Sequence, residues 1–144
     1  MIMATALKSA DQALPFIHPD TMPDQYALIG VGDCMAPLIA DGTLVVFDKR
    51  PEARPGDIVG LVLSREAAQR WGVPGLLKRL ALALPPSDLP RGNGGLVVVD
   101  QLNPPQRYCI PTEDVLAVHK AIGTAESDGA GSARFRPSKL EAWS

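Results

Sequence analysis

Cysteine, histidine and aromatic residues are scarce in this chain, and each shortage excludes a class of protein. Only 2 of the 144 residues are cysteines and only 2 are histidines. Two cysteines are too few for a disulfide scaffold, and the chain has no Cys-x-x-Cys pair of the kind that structural metal sites use. We therefore expect reduced thiols, no metal and no other cofactor. With 5% aromatic residues, the hydrophobic core must consist of Leu, Val, Ile and Ala.

Long apolar runs and an excess of basic residues are also absent. No apolar run reaches the ~18 residues that span a bilayer, and residues 1–13 lack the continuous apolar stretch of a signal peptide. The formal net charge is −2, so no basic surface is expected to attract a phosphate backbone. No helix-turn-helix pattern is visible. These absences predict a cytoplasmic protein that binds neither a membrane nor nucleic acid directly.

Chain-breaking residues, in contrast, are abundant. The sequence contains 14 prolines and 13 glycines, which disfavour long helices and favour short strands joined by tight turns. Strands that alternate with long helices, as a parallel sheet requires, are absent. We predict a mainly antiparallel β domain of six or seven short strands with one short helical insertion. The length allows one such domain with one core.

Composition divides the chain into three parts. Regularly spaced prolines favour an extended arm over residues 1–26, and aliphatic runs separated by turns predict the folded domain over 27–123. The Gly-, Ala- and Ser-rich residues 124–144 are typical of a flexible tail. Inside the domain, Ser64 to Trp71 is predicted to form the helix, with Ser64 as its N-cap and Gly72 as its stop.

One stretch carries a recognisable motif. Residues 31–45 read VGDCMAPLIADGTLV, which resembles the Gly-x-Ser-Met motif of LexA-like repressors, UmuD-like proteins and signal peptidases. That motif is often followed by Pro and then by Asp-Gly-Asp before a strand. Two further elements of this superfamily follow in the right order, a Gly-Asp-Ile-Val element and a Lys-Arg segment. The matching positions are Gly32, Met35, Pro37, Asp41, Gly42, residues 56–59 and residues 77–80.

The resemblance covers roughly residues 27–122 and implies a LexA/signal-peptidase-like β domain with a Ser–Lys dyad. Cys34 stands at the position of the nucleophilic serine, and Lys78 stands at that of the general base; residues 65–75 look like an insertion between them. A lysine must be uncharged to act as a base, and burial can lower its pKa from ~10.4 by several units. The neighbouring leucines are expected to supply an apolar wall: Leu76, Leu77, Leu80 and Leu82.

Further site residues follow from the same resemblance. The backbone N–H groups of Cys34 and Asp33 are expected to form an oxyanion hole. Gly32 and Met35, which flank the nucleophile, are expected to contact the substrate.

The cysteine leaves three interpretations open. As a working nucleophile, the thiol of Cys34 would pair with Lys78 as thiolate and ammonium. As a relic, it would mark an inactive relative that only binds a protein. As a redox or structural residue, it would behave as most cysteines do, since they are usually small buried side chains.

Other candidates have simpler interpretations. Lys49 is expected in a solvated turn, and Cys109 at a buried strand position, although a disulfide with Cys34 is conceivable. His18 and His119 are too isolated in sequence for a triad or a metal site. Trp71 is expected to pack on the core, with contact to a partner as the alternative.

The implied substrate is an extended peptide that binds through main-chain hydrogen bonds beside the active-site strands. It belongs either to the chain itself or to a partner protein. The residues before Cys34 contain no Ala-Gly or Cys-Gly pair, at which LexA-like proteins often cut themselves. The resemblance also implies a homodimer. The alternative is a catalytically inactive, dimeric protein-binding module.

Overall fold

The structure is a computed structural model that describes residues 5–8, 18–32, 34–86, 94–127 and 133–137. These residues form nine strands, one α-helix and two short 3-10 turns. In chain order the elements are β1 (Thr5–Lys8), a 3-10 turn (Pro19–Thr21), β2 (Gln25–Val31), β3 (Leu44–Asp48), β4 (Ile58–Leu63), α1 (Arg65–Trp71), β5 (Gly75–Leu80), β6 (Leu96–Leu102), β7 (Pro105–Pro111), a second 3-10 turn (Thr112–Asp114), β8 (Val115–Ser127) and β9 (Ala133–Pro137).

All strand pairs are antiparallel, and six strands close into a ring. The order of the sheet is β1-β2-β3-β8-β4-β5-β6-β7, and β1 also pairs with β5, which joins β1, β2, β3, β8, β4 and β5. The hairpin of β6 and β7 extends from β5, and β9 pairs with β8. The predicted mainly antiparallel β fold with one short helix is confirmed. The strands number nine in the described residues, because β1 and β9 lie outside the predicted domain.

The central strands β4 and β5 are buried on both faces. Val59, Leu61 and Leu76 belong to the larger core cluster, whereas Ile58 and Leu77 belong to a smaller one. Successive side chains of a strand point to opposite faces, so both faces of these strands are covered. This explains why β4 is a nearly continuous aliphatic run rather than an alternating one, and why β5 has leucines on both faces.

Helix α1 has the ends that its sequence predicted. The Ser64 hydroxyl accepts a hydrogen bond from the Ala67 N–H at 3.2 Å, and Gly72 closes the helix with a left-handed φ of 78°. Ala67 and Ala68 turn the buried face of the helix toward the larger core cluster. Within the described residues, no helix has the length and the apolar character needed to cross a membrane.

The predicted tail covers residues 124–144, and the structure differs from this prediction at residues 124–127 and 133–137. Strand β8 extends to Ser127, and Ala133–Pro137 forms β9 along its edge. Composition indicated flexibility here, but strand pairing outweighs the low hydrophobicity of the segment. Gly123 makes the approach possible, because a Cβ atom at this position would collide with the carbonyl oxygen of Arg136 and the ring of Phe135.

We predict that Gly123→Ala separates β9 from β8. Overpacking at a close contact costs about 1–3 kcal/mol, so hydrogen-exchange protection of the β9 amides is expected to fall about tenfold or more. The matched control is Thr124→Ser at the next residue of β8, a substitution that adds no atom to the side chain. Unchanged protection in the Gly123→Ala chain would show that the close approach does not hold β9 in place.

Candidate active site

Lys78 lies at a junction of three strands. On one edge of β5, Leu77 pairs with Thr5 of β1, and Arg79 pairs with Asp100 of β6. The partner strand on this edge therefore changes at Lys78. On the other edge Lys78 pairs with Val59 of β4. The lysine side chain is fully buried, with a relative exposure of 0%.

Two side chains from the β6–β7 hairpin contact the buried amine. The Lys78 Nζ donates a hydrogen bond to Oε1 of Gln101 at 3.1 Å. The same nitrogen lies 5.2 Å from the ring centroid of Tyr108, within the range of a cation–π interaction. Trp71 of α1 meets Tyr108 edge-on, with ring centroids 5.9 Å apart. The ammonium form thus has two stabilising partners in an otherwise apolar region.

The apolar wall around the lysine is smaller than the sequence suggested. Leu76 and Leu80, which share a face of β5 with Lys78, are buried in the larger core cluster together with Cys34. Leu77 is buried on the opposite face. Leu82 is 54% exposed, so the expectation that it helps to wall the site is wrong. It lies beyond the end of β5.

Burial shifts the ionisation of Lys78. Loss of hydration disfavours the charged form, and it lowers the pKa of Lys78 from 10.5 to about 8. The charge of Cys34 acts in the opposite direction and raises the pKa of the amine. Cys34 is therefore close enough to interact electrostatically with Lys78. A large fraction of the amine is uncharged at mildly alkaline pH.

Cys34 lies in the turn after β2 and is only 8% exposed. Its carbonyl oxygen accepts two backbone hydrogen bonds, from the N–H of Leu102 at 2.9 Å and from that of Asn103 at 2.8 Å. These bonds fasten the cysteine turn to the end of β6. The same end of β6 carries Gln101, which contacts Lys78. The backbone bonds to Cys34 therefore hold the cysteine turn next to this glutamine.

The glycines and the aspartate of the motif shape this turn. Gly32 has a φ of 99°, a left-handed conformation that favours glycine. Its N–H donates to Oδ1 of Asp41 at 2.7 Å, and the Gly42 N–H donates to the carbonyl oxygen of Gly30 at 2.8 Å. The motif residues thus connect the two ends of the loop that presents Cys34.

The remaining predicted site residues have different positions. Met35 is fully buried in the smaller core cluster, and Gly32 is half-buried with its N–H directed to Asp41. The substrate contacts proposed for both stay predictions. Asp33, a predicted oxyanion-hole residue, lies outside the described residues. The oxyanion hole at Asp33 and Cys34 also stays a prediction.

Gln101 and Tyr108 were not identified from the sequence. A signal for Gln101 exists, because Val97, Val99 and Gln101 form the buried, alternating face of β6. A polar residue at a core-facing position needs a hydrogen-bonding partner. The sequence does not show that this partner is Lys78, because the contact spans 23 residues.

Two of the simpler interpretations change, and the structure shows a partner for one histidine. Cys109 is exposed, so the prediction of a buried position is wrong; it lies on the solvated face of β7, and neither cysteine forms a disulfide. Lys49 fastens the first 3-10 turn, because its Nζ donates to the carbonyl oxygens of Pro19 and Met22, both at 2.9 Å. His119 shares a hydrogen bond with the Tyr26 hydroxyl, and burial lowers the pKa of this histidine.

One comparison with known proteins gives a result. A family model described as Peptidase S24-like matches residues 3–70, a range that includes Cys34 and β4 and ends before Lys78. The match supports a relationship with the LexA/UmuD-like superfamily, which the motif also indicated. No curated protein and no solved structure matches the chain.

We predict that Lys78→Met stabilises the fold near neutral pH. The unfolded lysine keeps its proton up to pH 10.5, whereas the folded one loses it near pH 8, so unfolding takes up a proton between these values. The wild-type chain should gain stability as the pH rises through this window. At pH 7 the variant is expected to be more stable by about 1–3 kcal/mol, with a smaller advantage near pH 10.

Urea unfolding of both chains at pH 7 and pH 10 measures this difference. Lys120→Met, on β8 at the far side of β4, controls for the loss of one positive charge. A Lys78→Met chain that is less stable than wild type at both pH values would contradict the account of a costly buried amine.

Proposed function

We propose that the chain is a peptidase of the LexA type, in which Cys34 is the nucleophile and Lys78 the general base. The substrate is a peptide bond in the chain itself or in a partner protein. One observation carries the proposal: Lys78 is fully buried, burial lowers its pKa to about 8, and the charge of the motif cysteine acts on the same pKa. Perturbed ionisable groups of this kind concentrate at functional sites.

The pair has the chemistry that amide cleavage needs. Lys78 takes the thiol proton as the Cys34 sulfur attacks the peptide carbonyl carbon and a C–S bond forms. The resulting ammonium then gives this proton to the leaving nitrogen as the C–N bond breaks. In the second half, the neutral amine takes a proton from water, and the resulting hydroxide cleaves the thioester. The proton returns to the sulfur, which leaves the pair as it began.

The cysteine suits an amine of this kind. A free thiol ionises near pH ~8.5, close to the value of about 8 for Lys78. A thiol that keeps this value exchanges its proton with such an amine at a small free-energy cost. A serine hydroxyl is a far weaker acid, so a lysine at the same position would take its proton only during the attack and not beforehand.

The surroundings of β1 support an extended peptide as substrate. Thr5–Lys8 lies between β2 and β5 and pairs antiparallel with both strands. One of these strands carries Lys78, and the other leads into the Cys34 turn. Main-chain pairing on both edges is the way in which an extended substrate binds to a sheet. A segment of the chain itself therefore already has the conformation that the proposed substrate requires.

A second candidate is a non-catalytic module that binds an extended peptide. The observation that favours it is the low exposure of Cys34, at 8%, together with β1 in the slot between β2 and β5. In this case the burial of Lys78 would be a remnant of a catalytic ancestor. The homodimer implied by the family resemblance is a proposal that applies to both candidates.

We predict that a peptide vinyl sulfone with alanine beside the reactive group labels Cys34 selectively. The probe reacts only with a thiolate, and it reacts fastest when its own peptide part binds in an extended conformation. It therefore tests the site whether the natural substrate is the chain itself or a partner protein. Labelling is expected to slow by about 100-fold or more in Lys78→Met, in line with the contribution of a general base. Peptide-level mass spectrometry locates the label.

Cys109→Ser should label as the wild type does, whereas Cys34→Ala should not label at the site. Intact mass after incubation of the unlabelled protein at pH 9 shows whether its own chain is cut. Equal labelling of Cys34 and the exposed Cys109, with no effect of Lys78→Met, would rule out the peptidase and leave the binding module.

A further inference from the structure

Gln101 is a polar residue at a buried position of β6 where packing of the core alone would favour an apolar side chain. Its relative exposure is 2%, and it follows Val97 and Val99 on the buried face of β6. A leucine or methionine would continue this apolar face without the cost of burying an amide. Burying an amide is tolerated when each polar atom has a partner.

The hydrogen bonds of Gln101 fix the orientation of its amide. The Nε2 donates to the carbonyl oxygen of Pro104 at 3.0 Å and, more weakly, to that of Asn103 at 3.4 Å. Backbone carbonyl oxygens only accept, so the nitrogen must face them. The Oε1 is then directed to the Lys78 amine at 3.1 Å and to the Tyr108 hydroxyl at 3.4 Å.

A carbonyl oxygen held in this way has two effects on an amine. It accepts a stronger hydrogen bond from an ammonium than from a neutral amine, which favours the protonated form. It also orients the neutral amine, because one N–H must point at Gln101 and the nitrogen lone pair must then point elsewhere. The backbone hydrogen bonds from Leu102 and Asn103 to the Cys34 carbonyl oxygen attach the end of β6, which carries Gln101, to the cysteine turn.

We propose that Gln101 is a positioning residue for Lys78, which holds the amine and determines how readily the amine keeps its proton. In the part of the chain that the structure describes, the other ionisable groups beside this amine are Cys34 from the turn after β2 and Tyr108 from β7. On β4 its neighbour in the pairing is Val59, which does not ionise. Only the catalytic consequence of this inference rests on the proposed peptidase activity; the effect on the protonation of Lys78 does not.

Two substitutions at Gln101 should move the protonation of Lys78 in opposite directions. Gln101→Met keeps the volume but removes the acceptor, so the titration midpoint of the amine should fall by about one pH unit. Gln101→Glu places a carboxylate against the amine, so the midpoint should rise by about one unit or more. The probe is the ¹³Cε resonance of Lys78 in ¹³C-lysine-labelled full-length protein, assigned by its loss in Lys78→Met.

Gln106→Met is the matched control. Gln106 is the cross-strand partner of Gln101 on β7 and is exposed, so its replacement should leave the midpoint unchanged. Gln101→Leu is a second apolar variant with the same expected direction, which covers a failure of Gln101→Met to fold.

A merely structural role gives a different pattern. If substitution only loosened the site, water would enter and the midpoint would rise in the apolar variants as well. A rise in Gln101→Met or Gln101→Leu, or no change in either, overturns the inference. If the midpoints shift as expected but the pH dependence of vinyl sulfone labelling does not follow them, Gln101 still positions Lys78, and the catalytic role of the lysine is what fails.

Discussion

The site depends on the placement of one amine out of reach of water. A lysine with no exposed surface is costly as an ammonium, because the protein interior replaces little of its lost hydration. The fold does not remove this cost but limits it, with one amide oxygen from Gln101 and the face of the Tyr108 ring. The result is an amine poised between its two protonation states, which is the property a general base needs.

The strand arrangement produces this placement. The edge of β5 changes partner from β1 to β6 at Lys78. The lysine therefore lies beside β1 and beside the hairpin of β6 and β7. The same β6 end holds the Cys34 carbonyl through Leu102 and Asn103. A shift of β6 along β5 would move Gln101 away from the lysine and strain the cysteine turn together. The ring closure by β1 keeps β2, and thus this turn, close to β5.

Local signals in the sequence predicted the parts of the structure that local interactions determine. The glycines and Asp41 around Cys34 indicated the turn, and Ser64 with Gly72 indicated the ends of α1. The contact of Gln101 with Lys78 depends on the register of β6 against β5, and the sequence alone did not predict this register. The exposure of Cys109 depended on which face of an edge strand is solvated. The strand β9 was missed because its composition resembles that of a disordered segment, while its stability comes from pairing with β8.

The most direct measurement of the central claim is the pH dependence of Cys34 alkylation by iodoacetamide. It requires the Cys109→Ser background, in which Cys34 is the only thiol, with and without Lys78→Met. If the lysine and the thiol form one ionising pair, removal of the amine should raise the midpoint of alkylation by about one pH unit or more. Superimposable profiles from the two chains would show that Lys78 does not act on the thiol, and would contradict the account.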